Sequence, residues 1–439
     1  MKKILISLMM ILTLGVSNAS YVGNINSKNY EIFRVNGKCE GSLTREELYD
    51  LVGRAGVDVS NVCTGAIEDF SFMFNGLPNF NQDISKWDVS SGKNFSGMFY
   101  NVTKFNKNLN NWDVSNGENF SGMFYGASAF NGNISNWKVS KGTDFKSMFE
   151  NAISYNQSLS KWNVSNGLSF HSMFANAKSF NQNLSNWRVL NSLDFSYMFH
   201  RATSFNQPIG NWDVSNGLKF NYMFNEASSF NRDLNNWDMS SAVALRAMFY
   251  KASTFNSELS NWNVSNVKDF VAMFSEASSF NQPIDSWNVS SGETFFSMFT
   301  LASNFNQPLN SWNISKASDL SRMFAGAYKF NQPLNNWDVS GVTNFYSMFY
   351  SANKFNEDID NWNVSSGQNF NGMFASASDF NRDIGFWNVS SGLDFSGMFS
   401  NALSFNQDLN SWNVTNATTW NSFNYNSGLS VENTPLKFR

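Results

Sequence analysis

Histidine is almost missing from this 439-residue sequence: His171 and His200 stand alone, beside two cysteines and six prolines. The two histidines occupy different places in the repeating unit described below, so they are expected to be surface variation and not a metal pair. No zinc-type ligand spacing, Gly-rich phosphate loop or nucleophile elbow is present. Charged residues make up only 15% of the chain and the formal net charge is −4, which gives no electrostatic footprint for nucleic acid. After residue 19 there is no apolar run of membrane-spanning length, so no membrane span is expected. Nor is any catalytic residue or cofactor.

The two cysteines, Cys39 and Cys63, lie near the N-terminus. In an exported chain an even pair suggests a disulfide, two free buried thiols being the alternative. Export is expected because Lys2-Lys3 precedes the apolar stretch Ile4 to Val16 and the small residues Ser17-Asn18-Ala19, the pattern of a signal peptide over residues 1–19. No cysteine follows at the cleavage point, so lipid anchoring is not expected.

What the chain has in abundance is a 25-residue period, with a tryptophan at 87, 112, 137 and onward to 412, in 14 copies without insertion. A fixed period of this length predicts a solenoid over residues 70–424, with a cap at 20–69 and a tail at 425–439, expected to be mobile. Thr44-Arg45-Glu46-Glu47 has capping-box spacing ahead of Leu48, Leu51 and Val52, which predicts a short helix inside the cap. Val62-Cys63-Thr64 falls 25 residues before Trp87-Asp88-Val89, so the frame begins there.

Within one unit, Phe95, Met98, Phe99, Val102 and Phe105 recur at helical spacing, preceded by the cap-like Asn94. Leu109-x-x-Trp112-x-Val114 alternates like a short strand. The expected fold is therefore an α/β solenoid with one helix and one parallel strand per repeat, curved because helices pack wider than strands. A parallel β-helix is the alternative if the Met-Phe segment is extended. The asparagine after the aromatic residue in every copy, Asn81 to Asn406, predicts a buried ladder that satisfies backbone groups of adjacent coils.

The unit Ala302-Ser303-Asn304-Phe305-Asn306-Gln307-Pro308-Leu309-Asn310-Ser311-Trp312-Asn313-Ile314-Ser315 closely resembles the repeat of BspA-like bacterial surface proteins, also found in mycoplasma lipoproteins. The resemblance implies a leucine-rich-repeat-like surface protein, some members of the family being implicated in adhesion to host proteins or other cells. The chain departs by carrying Phe where the family often has Met at the first core position, and by lacking a lipobox.

Two sets of outward residues are weighed as sites. Asp88, Asp113, Asp213 and Asp238 lie between Trp and Val, where like charges on neighbouring coils suggest at most a weak Ca²⁺ site, a solvated Asn/Asp ladder being favoured. Tyr100, Tyr125, Tyr250 and Tyr350 follow Met-Phe and offer contact anchors for a partner. Together these features predict a secreted or cell-surface protein, with the periplasm as the other location. It would bind host or neighbouring-cell proteins without catalysis, an envelope scaffold being the alternative and a glycan-acting enzyme the least supported reading.

Overall fold

The computed structural model describes residues 34–35, 38–39 and 41–439. The expected signal peptide lies outside the described residues. The chain divides into two compact units, one ending at Val164 and one running from Ser165 to Arg439.

In both units the 25-residue copies form coils laid side by side, so each unit is a repeat solenoid. Coils are joined through every second amide of the Met-Phe segment. In the first unit Phe95, Gly97, Phe99 and Asn101 donate to the carbonyls of Asn119, Ser121, Met123 and Tyr125 at 2.7–2.8 Å. In the second, Phe345, Ser347, Phe349 and Ser351 do the same towards Asn369, Asn371, Met373 and Ala375 at 2.8 Å.

The expected helix of each repeat is absent. The intervening amides close four-residue β-turns instead: Met98 donates to Phe95, Tyr100 to Gly97 and Val102 to Phe99. A run of such turns steps its side chains by three, which reproduces the spacing of an amphipathic helix. Left-handed backbone at Gly97 (φ 57°) and Asn101 (φ 58°) breaks any helical path. The cap-like residue does cap, but caps a turn: the Asn94 side chain accepts from the Ser96 amide at 3.1 Å. Its backbone forms a parallel bridge to Asn119, and this bridge recurs at the equivalent position within each unit.

The strand expected at Trp-x-Val is also corrected. Trp112 and Val114 are buried and Asp113 is exposed, so the alternation holds. No bridge forms there among the described residues, because the Val114 carbonyl is taken by Gly117 in a turn. Coils are linked on this side by a side chain, the Trp112 indole donating to the Ile84 carbonyl at 3.0 Å. The parallel ladder thus lies on the Met-Phe side. Without repeat helices, the width mismatch that predicts curvature is gone, and the turns rule out the extended Met-Phe segment of a β-helix.

Between the two sides the core is columns of rings. Phe99 stacks on Phe124 of the next coil (5.2 Å between centroids) and on Phe105 of its own (4.2 Å), and Trp112 on Trp137 (6.2 Å). The same columns run through the second unit, as in Phe349 with Phe374 and Trp337 with Trp362. A lone coil would expose both flat faces of this ring layer, so coils stabilise one another by stacking.

The asparagine ladder is present, but at the rim. Asn281 Oδ1 accepts from the Asn306 amide at 2.9 Å and Asn306 Oδ1 from Asn331 at 2.9 Å, while these residues stay half-exposed. The ladder replaces a backbone bridge where the coils do not pair directly.

At the N-terminal end, β1 (Arg34–Val35) pairs antiparallel with β2 (Lys38–Cys39), and Cys39 is disulfide-bonded to Cys63. Helix α1 (Arg45–Val52) follows with the expected capping box, Thr44 and Glu47 bonding each other's amides, and Leu48, Leu51 and Val52 are buried. At the other end, the segment expected as a mobile tail is docked. A 3-10 turn, Leu436–Phe438, places Phe438 against Phe395, Trp420 and Phe423 at 4.9–5.4 Å.

Candidate functional site: the variable edge of the Met-Phe side

The turn run buries the first Phe and the Met-Phe pair of each coil, and the residues one, two, five and six places after that first Phe form its outer edge, part-exposed in many coils and buried at others such as Ser172, Asn225, Ala247 and Ala375. These positions vary widely among copies while the core positions barely change. Contact with water alone would be met by Ser and Asn throughout. The variable edge instead carries Tyr, His, Arg, Lys, Glu, Phe and Leu in particular coils.

In the second unit the edge begins with a polar run. His171 Nδ1 lies 3.4 Å from Asp194, and the Tyr197 ring sits 5.6 Å from both histidine rings, so the histidines flank a tyrosine and do not converge. Burial would raise the Asp194 carboxyl, but hydrogen bonds from His171 and Ser196 outweigh it and bring the pKa down to about 2. Burial pushes His200 down, helped by the Arg201 charge. Arg201, Glu226, Lys251 and Glu276 then alternate in sign over four coils. Arg201 grips Glu226 with two bonds of 3.0 Å, holding that carboxyl below its ordinary range, and Lys251 lies 3.7 Å from Glu276. Arg246 pairs with Asp269 at 2.8 Å.

Farther along, the edge opens into a groove of about 570 Å³, a size in the range of small-ligand sites. Its lining includes Leu301, Arg322, Tyr328, Tyr346 and Tyr350. Gly326, at φ 69°, forms its low point: a side chain there would strike Leu301. Leu301, Tyr328 and Tyr350 are 40–47% exposed, large apolar surfaces left open to solvent. Arg322 lies over the Tyr346 ring, 5.2 Å from its centroid, and donates to the Tyr346 hydroxyl at 3.3 Å, which lowers the pKa of that phenol.

The four tyrosines anticipated as anchors have separate fates. Tyr100 and Tyr125 stack on each other at 4.6 Å in the first unit. Tyr250 donates to Glu276 at 2.8 Å, and Tyr350 lines the groove. Tyr328, Tyr346 and Arg322 were not singled out from sequence. The signal that finds them is departure from the unit: Tyr328 stands where most copies have Ser or Thr, and Arg322 where most have Gly, Ala or Ser.

Asp88, Asp113, Asp213 and Asp238 each accept through Oδ1 from the serine two residues on, at 2.9–3.1 Å to the amide. For Asp113 and Asp238 the serine bonds hold the carboxyl below its ordinary range. These carboxylates shape a turn in their own coil. No group of three or more His, Cys, Asp or Glu side chains converges among the described residues. No described helix is long and apolar enough to cross a membrane.

No curated protein matches the sequence. Among solved structures it is similar to the crystal structure of the TLR13–ssRNA13 complex, at 12% identity over 90% of this chain and a TM-score of 0.25. The chain spans 54% of that one, about half its length. It is also similar to a leucine-rich repeat protein from Bacteroides ovatus, at 9% identity over 89% of this chain and 98% of that one, with a TM-score of 0.36. An LRR protein from Leptospira interrogans is matched at 9% identity over 89% and 96%, with a TM-score of 0.17. A family model matches four overlapping stretches, residues 47–158, 133–237, 219–337 and 318–434, which take in most of the coils described above, and the chain therefore belongs to the family described as "Mycoplasma protein of unknown function, DUF285".

Proposed function

We propose that this protein is an exported, non-enzymatic repeat protein of the BspA-like type that presents the variable edge to protein partners at the cell surface, with adhesion as its role. One observation carries this reading. Within a single chain, the positions that build the coil are nearly invariant while the outward positions of one edge diverge into large aromatic and charged side chains. Some of these side chains pair between coils, but Tyr328 and Tyr350 stay open to solvent, and a binding surface draws its energy from exposed Tyr and Arg anchors. The Cys39–Cys63 disulfide adds support, since such bonds persist in oxidising compartments outside the cytosol.

The test is antibody and protease access to the protein on intact cells against permeabilised controls, followed by binding to a panel of purified host and neighbouring-cell surface proteins. Access on intact cells together with saturable binding is the expected result. Protection until permeabilisation overturns the surface location and leaves the envelope scaffold in its place.

A further inference from the structure

Resting on that reading, we infer that the groove over Gly326 recognises an acidic peptide segment, a partner side-chain or terminal carboxylate being held by Arg322 between the walls of Tyr328, Tyr346 and Tyr350.

The charge pattern of the edge is the first argument. Of the four cations on the variable edge of the second unit, Arg201, Arg246 and Lys251 each lie within 4.0 Å of a carboxylate. Arg322 forms no ion pair among the described residues, and the groove lining contains no Asp or Glu. In a protein of net negative charge this is a local positive site whose anion is not supplied by the chain itself. Arg322 is held in place by the Tyr346 ring and hydroxyl, which leaves guanidinium donors for a carboxylate in the forked geometry that arginine favours.

The walls give the second argument. Three tyrosines around one arginine match the residue types that dominate protein-binding hot spots, and Leu301 adds apolar wall beside them. Apart from Arg322 the polar side chains of the lining are all hydroxyls, and no carboxylate or carboxamide is there to hold an adjacent pair of sugar hydroxyls with two acceptor or donor–acceptor atoms at once. The backbone offers no free edge for a strand to pair with either. The amides of Leu301, Arg322, Gly326 and Ser351 are already bonded to the next coil. Recognition therefore runs through side chains.

The chain supplies its own well-folding variants. Arg322→Ser installs the residue that Ser297 and Ser347 carry at the equivalent place with the same left-handed backbone (φ 56° and 52°). Ser351→Leu installs the residue of Leu301, again at matching φ (54° against 55°), and fills the groove without touching the charge. The experiment exposes the full-length protein and both variants to an array of hexapeptides randomised over Asp, Glu, Asn, Gln, Leu and Tyr. An array of sulfated and carboxylated glycans runs in parallel, and circular dichroism and thermal melting confirm folding.

The expected result is enrichment of Asp and Glu among bound peptides. Loss of the charged hydrogen bonds in Arg322→Ser should weaken binding roughly ten- to a hundredfold, and Ser351→Leu should abolish it. Absence of acidic enrichment, or enrichment unchanged in folded Arg322→Ser, overturns the inference. Binding confined to the glycan array and lost in Arg322→Ser makes the occupant an anionic sugar and overturns the peptide assignment. Either failure leaves the surface role intact if the intact-cell access test still succeeds, so the two readings fall separately.

Discussion

The indole N–H of Trp237 donates to the carbonyl oxygen of Ile209, 28 residues earlier, at 3.0 Å. The same bond ties Trp312 to Ile284 and Trp387 to Ile359. It accounts for tryptophan in this column, since phenylalanine, which fills the neighbouring columns, carries no donor for the previous coil. Trp237→Ala is expected to cost about 3–5 kcal/mol through the cavity it leaves. Trp237→Phe keeps a ring and removes one of two donors to the Ile209 carbonyl, the Trp212 amide remaining at 3.1 Å, and is expected to cost about 0.5–1.5 kcal/mol. Urea denaturation followed by circular dichroism checks both, and a phenylalanine variant as stable as the parent would show that the hydrogen bond contributes nothing.

The asparagine ladder should depend on an acceptor and not on an amide. Asn281 Oδ1 receives the Asn306 amide at 2.9 Å and the Gln307 side chain at 3.2 Å. Asn281→Ala removes that acceptor at a half-exposed rim, with an expected loss of about 1 kcal/mol. Asn281→Asp keeps it and should lose less than the alanine variant. Equal losses in the two would point to packing as the role of the ladder.

Much of this architecture could be read from sequence because repetition fixes what is constant. The period, the capped helix at Arg45–Val52, the inward Trp112 and Val114 and the Cys39–Cys63 bond all match expectation. Secondary structure within the unit did not follow, for a definite reason. Phe95, Met98, Phe99 and Val102 have a spacing that a helix and a run of β-turns share, and the left-handed φ values at Gly97 and Asn101 separate them. Gly at 97 favours the left-handed turn, but the equivalent residues Tyr197 and Arg322 adopt it without glycine, so composition hides the signal. Tyr350, which lines the groove, could be picked out from the sequence, whereas Arg322 and Gly326 stand out only through what neighbouring coils lack.

Acid should act on the second unit partly through Asp194. Its folded pKa of about 2 lies below the ordinary 3.8, so its stabilising contribution is fully present above about pH 4 and is lost as the pH falls towards 2. Asp194→Asn removes that titration while keeping an acceptor for the Ser196 amide. The parent should therefore lose more stability than the variant between pH 4 and pH 2, measured by urea midpoints across that interval. Parallel curves for the two proteins would remove Asp194 from the acid response.

After the fourteenth copy, residues 425–439 depart from the repeat and take over part of the role that a following coil has elsewhere. In the interior, the Ser390 carbonyl is satisfied by the Asn416 side chain of the following coil at 2.8 Å. For the final coil the Lys437 ammonium donates to the carbonyls of Val414, Thr415 and Ala417 at 3.2, 2.8 and 2.8 Å and lies 5.1 Å from the Trp420 ring. Lys437→Met keeps the aliphatic stem and deletes the donors, leaving carbonyls at an open coil end. The expected cost is about 1.5–3 kcal/mol for the loss of bonds to a charged group, confined to the terminal coil because each repeat contacts only its neighbours. Hydrogen exchange should then accelerate at amides such as Ala417 and Phe423 while the Trp237 and Trp262 amides keep their protection. Exchange that rises uniformly along the second unit would mean that its coils unfold as one block, and that capping at residue 437 governs the stability of the whole unit.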